Sequence, residues 1–242
     1  MHRLKVIVEG DLACFTRPEL KTERVSYDVP TPSAICGMLK AIYWKPAFRY
    51  VVDKIVVYNP IDFVCFKRNE VKEKVSFQKM KSKMEGRDRD PAIYRESCIN
   101  QRRTMALQNV KYGIEFHIEL TGLRCEQEGI NPAKHEAILK SRIQKGQYFR
   151  MPCFGCSEFP VKKVLLVDKF DLESISDENI KRGDVDLGYR VYQPVFKDEG
   201  RPVNNDWDNP VFLDVLKFVD FYRPHMINGV INVEKYREEM AC

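Results

Sequence analysis

The run over residues 17–46, RPELKTERVSYDVPTPSAICGMLKAIYWKP, constrains the fold more than any other segment of this chain. A basic, polar stretch gives way to two prolines and then to an amphipathic helix predicted over 32–44. Thr31 is placed to cap it, and Pro32 suits the first turn, where its missing N–H would have no partner. Ile35, Met38, Leu39, Ile42 and Tyr43 recur at the spacing of one helical face. Pro46 ends the helix by driving Lys45 out of the α region. A packed helix with a phenol in its last turn results.

Strand signals surround it. Leu4, Val6 and Val8 alternate with Lys5, Ile7 and Glu9, Gly10-Asp11 reads as a turn, and 12–15 as a short second strand. Two β-rich runs, 51–58 and 61–66, flank the turn signal Asn59-Pro60. In 104–120, Tyr112, Ile114, Phe116 and Ile118 alternate with Glu115, His117 and Glu119. A second helix opens at Asn131-Pro132 and closes at Gly146, and 161–167 is a further strand. Strand, helix, two strands, helix, strand is the ferredoxin-like (RRM-like) βαββαβ order, an α+β fold. After Asp168 strand signals at 187–196, 211–222 and 230–233 predict a small antiparallel β subdomain. Residues 1–168 thus form the main domain and 169–242 the second.

The chain of 242 residues is 44% hydrophobic and 31% charged, ordinary for a globular protein. No apolar run nears the ~18 residues of a membrane span, and the N-terminus reads as a strand, not a signal peptide. The eight cysteines are scattered, with Cys153 and Cys156 alone close together, so reduced thiols in a cytoplasm are expected. Without a second close Cys/His pair, a structural zinc site lacks half its ligands. The net charge of +5 is unevenly placed: residues 67–103 hold 12 Lys/Arg against 6 Asp/Glu, and the remainder is slightly acidic. With Phe77 and Tyr94 interleaved, this insertion suits phosphate contact and base stacking, although charge alone would favour a solvated loop.

If the basic insertion serves RNA, cutting that RNA without a metal would need a group to help the 2′-hydroxyl attack, another to protonate the departing oxygen, and a cation for the phosphorane. Histidine and lysine are the natural candidates. Of four histidines, His135 follows Lys134 in the first turn of the second helix, where unpaired N–H groups favour phosphate. Its alignment with Ile138, Leu139 and Arg142 predicts a place at the edge of the packed face, near the surface. On the dipeptide alone, an ordinary helix N-terminus is the simpler reading.

Segments 17–46, 51–71, 101–119 and 131–160 resemble, in order, the pre-crRNA-processing endoribonucleases of type I-C CRISPR systems. These are the "d" variant of the fifth Cas family, RAMP proteins with RRM-like folds; the C-terminal third matches more loosely. The resemblance implies a catalytic set of Tyr43 in IYWKP and Lys134-His135 in PAKHEAI. Tyr43 would orient or deprotonate the 2′-hydroxyl, His135 act as general acid or base, and Lys134 hold the scissile phosphate. A core-lining aromatic is the plainer role for Tyr43, and both can hold. Cleavage at the hairpin base would leave a 2′,3′-cyclic phosphate, with no cofactor or metal.

Candidate RNA-binding residues are Arg17, Lys21, Arg24 and Tyr27 before the first helix, Lys45 at its end, and Arg102 and Arg103 entering the long strand. Tyr148, Phe149 and Arg150 join them in the glycine-bearing loop 146–155. Implied partners are the pre-crRNA repeat hairpin, the crRNA 5′ handle and other subunits of the type I-C interference complex (Cascade). A basic groove would also take duplex DNA weakly, and no membrane partner is expected. Two alternatives stand beside this reading: a non-catalytic subunit holding the handle, and a general RRM-like single-strand binder. The latter ranks last because no aromatic RNP pair is recognisable on the strands.

Overall fold

In the computed structural model, residues 2–20, 22–74, 76–87, 92–124, 127, 131–213 and 215–241 are described. The architecture is mixed α/β, with one large antiparallel sheet and few helices. Its spine is β5 (Ile99–Leu120), a 22-residue strand paired with β1 (Leu4–Ala13), β3 (Phe48–Val57) and β4 (Phe63–Val71), all antiparallel. The short β2 (Arg24–Val25) pairs with β5 in parallel, and β6 (Lys163–Leu166) closes the far edge beside β1.

Residues 10–11 do not turn the chain: β1 runs through them to Ala13, held to β5 as far as the Ala13–Leu107 pair. Gly10 serves close approach instead. A Cβ there would lie 2.7 Å from the Phe154 ring. The basic insertion likewise begins and ends as sheet, with Lys67 opposite Arg103 and Arg68 opposite Arg102. Helices α2 (Phe77–Met84) and α3 (Arg95–Cys98) lie at its tip, and α2 buries none of its residues.

Helix α1 (Pro32–Ile42) is capped by the Thr31 hydroxyl, which accepts from the Ala34 N–H. Its stripe of Ile35, Met38, Leu39 and Ile42 is buried with Val6, Ile55, Ile114 and Phe116 in the main core. Helix α4 (Pro132–Gln144) is capped by Asn131, which accepts from Ala133, and adds Leu139 and Ile143 to that core. Next come α5 (Asp177–Lys181), β7 (Asp184–Asp186), β8 (Arg190–Phe196), β9 (Leu216–Tyr222), β10 (His225–Ile227), β11 (Val230–Asn232) and α6 (Val233–Ala241). Strands β11, β10 and β7 extend the main sheet from β3, so its order is β6-β1-β5-β3-β11-β10-β7. Strands β8 and β9 form a separate ribbon.

The second face of β5 is polar in sequence but buried in the structure. His117 is hydrogen-bonded through Nδ1 to Asp53 at 2.7 Å and through Nε2 to Glu119 at 3.2 Å. Arg237 of α6 reaches Asp53 at 3.1 Å and the Val52 carbonyl at 3.2 Å, while Arg3 approaches Glu115. A C-terminal helix with no strong signal in the sequence thus covers this face, and ion pairing makes the burial tolerable.

Candidate active site

Helix α1 ends one residue before the phenol matters. Ile42 is its last residue, and Tyr43 is extended, with φ −154° and ψ 131°. The Tyr43 side chain stays buried in the main core and meets His135, Phe48 and Arg142. The last carbonyls of α1 would lack partners in a free helix. Here the Phe149 and Arg150 amides donate to Ile42 and Ala41, and Arg142 donates to Ile42 at 3.0 Å. The loop after α4 is thereby seated on the end of α1.

The Tyr43 hydroxyl lies 3.0 Å from Nδ1 of His135, a buried hydrogen bond. Phe48 packs beneath both rings, with centroids 4.7 Å from His135 and 5.4 Å from Tyr43. The Arg142 guanidinium stands over the Tyr43 ring at 5.1 Å. Tyr50 donates to the Tyr43 carbonyl at 2.6 Å, and burial pushes its own phenol above the ordinary tyrosine range, keeping that donor protonated. The sequence carries weaker signals for these three contributors. Arg142 falls seven residues, two helical turns, after His135, and the aromatics follow Pro46 at the start of a strand.

His135 does not sit at the surface edge expected from its spacing: it is 1% exposed. Tyr43, Phe48 and the helix enclose it, because the extended turn at Tyr43 covers the first turn of α4. Lys134, one residue earlier, is exposed. On the outer side of α4, a groove of about 850 Å³ is lined by Pro132, Ala133, Glu136, Lys140, Glu119 and Leu120, among others. His2 closes it, with Nδ1 2.9 Å from Glu136.

The remaining candidates fall into two groups. Lys45, Tyr148, Phe149 and Arg150 lie near the Tyr43–His135 pair; Phe149 is 83% exposed, whereas Tyr148 packs on the core. Arg17, Arg24, Tyr27, Arg102 and Arg103 gather near the other end of β5. That end of β5 pairs with β2 and β4, whereas the end beside the Tyr43–His135 pair is paired with β3. Tyr27 is buried between the Arg17 and Arg190 guanidinium groups, so its ring is closed to a stacking base. Arg24 pairs with Glu158 and Glu70, and Arg102 with Glu70. Arg103 is exposed. Lys21 lies outside the described residues. Among the described residues, no cluster of three or more His, Cys, Asp or Glu side chains makes a metal-ligand set. None of their helices is long and apolar enough to cross a membrane.

A large antiparallel sheet bearing two Pro-initiated helices, with a Tyr–His contact where they meet, defines the class of protein to compare. The chain belongs to the Cas5d family: the family described as CRISPR-associated protein (Cas_Cas5) matches residues 3–234. A CRISPR pre-crRNA endoribonuclease Cas5d from Mannheimia succiniciproducens is 37% identical, covering 98% of this chain and 97% of that protein. Its counterpart in Thermus thermophilus is 35% identical over 84% of this chain and 78% of that protein. A solved CRISPR-associated protein superposes with a TM-score of 0.62 at 25% identity, covering 98% of this chain and 94% of that one.

Proposed function

We propose that this chain is a metal-independent endoribonuclease that cuts CRISPR repeat RNA at the base of its hairpin and stays on the crRNA 5′ handle. The observation that carries the proposal is the Tyr43–His135 hydrogen bond, in a chain similar to proteins named pre-crRNA endoribonucleases. A phenol hydrogen-bonded to an imidazole can pass a proton along the pair, which suits activation of a 2′-hydroxyl or protonation of the 5′-oxygen. Tyr43 orients or deprotonates the attacking hydroxyl, His135 serves as general acid or base, and exposed Lys134 holds the scissile phosphate at the α4 N-terminus. The product is a 2′,3′-cyclic phosphate. Because His135 is enclosed, substrate binding must uncover it before the reaction.

We read the core β1-α1-β3-β5-α4-β6 as ferredoxin-like, since its strands lie in the order last, first, third, second and are antiparallel throughout. Residues 1–168 are the RNA-binding and catalytic unit, with 169–242 its β-rich extension. Both work in the cytoplasm within the type I-C complex, beside its other subunits. Arg17, Lys21, Arg24, Arg102 and Arg103 would contact the handle, Lys45, Tyr148, Phe149 and Arg150 the cleavage site, and the same surfaces would bind duplex DNA weakly.

The burial of His135 favours a second reading, in which the pair is structural and the chain only holds the handle. Incubation with its own repeat RNA in excess EDTA separates the two. Cleavage abolished by His135→Ala and by a 2′-deoxy substitution at the cut site is expected. Tight binding without cleavage would establish the scaffold, and cleavage of the deoxy substrate would eliminate internal attack.

A further inference from the structure

Cys153 and Cys156 are neighbours in sequence, yet the fold turns them to different surroundings. Cys153 lines a small cavity beneath α1 with Phe15, Ala34, Met38 and Ile114. Cys156 packs with Cys14, at the end of β1, whose side chain is fully buried. The Thr16 hydroxyl stands between these two thiols, 3.6 Å from Cys14 Sγ and 3.8 Å from Cys156 Sγ. Nη1 of Arg24 is 3.7 Å from Cys156 Sγ.

Backbone contacts enforce the meeting. The Cys14 N–H donates to the Phe154 carbonyl at 3.0 Å, and Cys156 Sγ lies 3.7 Å from the Cys14 carbonyl oxygen. Gly155, at φ +82°, crosses so closely that a Cβ there would stand 2.1 Å from that oxygen.

We propose that Cys14 and Cys156 are an oxidisable dithiol, which a peroxide converts into a disulfide tying the 153–160 loop to the end of β1. The two thiols are unequal. Hydrogen bonding from Cys14 holds Cys156 down to about 6 against the effect of burial, with Thr16 and Arg24 adding to it. The same hydrogen bond and burial push Cys14 up. Half-buried Cys156, beside Arg24, is therefore the more acidic and more accessible thiol, and buried Cys14 the resolving one.

The Cys156 sulfur attacks one peroxide oxygen; the O–O bond breaks, a hydroxide leaves, and a sulfenic acid forms. The Cys14 sulfur then attacks the sulfenic sulfur, the S–S bond forms, and the hydroxyl departs as water with the Cys14 proton. Two thiols and one hydrogen peroxide give one disulfide and two waters. The negative charge facing Arg24 disappears.

The test treats the full chain with one equivalent of hydrogen peroxide, alkylates in denaturant, and maps peptides without reductant. Expected are the loss of two free thiols per chain relative to the untreated protein, and a cross-linked peptide joining Cys14 to Cys156. Cys153→Ser should retain the loss of two thiols, and Cys156→Ser should abolish it. Before oxidation, Cys156 of the native chain should alkylate at pH 7 about ten-fold faster than Cys153. A peptide joining Cys153 to Cys156, scattered pairing, or an unchanged thiol count would each overturn the proposal.

Discussion

The phenol oxygen of Tyr43 and Nδ1 of His135 lie 3.0 Å apart although 92 residues separate them. One comes from the extended residue just past the end of α1, the other from the first turn of α4, and Phe48 supports both rings from below. The proposed chemistry depends on this contact, and so does the first prediction.

Tyr43→Phe keeps the ring packed against Phe48 and under Arg142 while removing the O–H. Single-turnover cleavage of the repeat RNA in EDTA should slow by about 10²–10⁴-fold, the usual contribution of a positioned proton-transfer group. Stability should fall by only about 1–3 kcal/mol, because one buried hydrogen bond is lost. Cleavage at the wild-type rate would remove Tyr43 from the mechanism.

Lys134→Ala should act oppositely on the two readouts. Its side chain is exposed, so any contact it makes is screened by solvent and stability in urea should change by no more than about 1 kcal/mol. Cleavage should drop at least ten-fold, and the salt dependence of RNA binding should become shallower by about one phosphate contact. A variant that unfolds early would assign Lys134 a structural part instead.

Gly155→Ala should destabilise the fold by about 3 kcal/mol or more in urea titration. It combines a left-handed backbone, φ +82°, with a Cβ driven 2.1 Å from the Cys14 carbonyl oxygen, a clash with backbone that no rotamer relieves. Gly37→Ala, where an added Cβ meets nothing within 4 Å, should be neutral or stabilising.

Acid stability should show the mark of Asp186. Hydrogen bonds from Arg223, helped by the Gly188 N–H, hold its carboxyl down to about 2 from an ordinary 3.8. The unfolded chain binds that proton first as the pH falls, so the contribution is complete above about pH 4 and fades towards pH 2. Urea midpoints measured from pH 5 to pH 2 should fall less steeply for Asp186→Asn. Equal slopes would show that the pair does not persist in solution.

The local elements were legible because their signals are local. Thr31-Pro32 and Asn131-Pro132 mark the two helix starts through a side-chain oxygen and a fixed φ, and both helices begin there. Apolar alternation likewise picked out the strands of the core, and the motifs carrying Tyr43, Lys134 and His135 were visible as words. Their arrangement was not. Gly10 looked like a turn because glycine often is one, but long-range pairing with β5 and the Phe154 ring demand a small residue inside a continuous strand. His135 looked superficial because helical spacing places a side chain on a face without saying what lies over it. Tyr43 leaving the helix, Phe48 from the next strand and α6 covering Asp53 and His117 are contacts between segments far apart in the chain. Periodicity records how a residue sits on its own element, whereas burial depends on which other element arrives, and that is settled only when the whole chain packs.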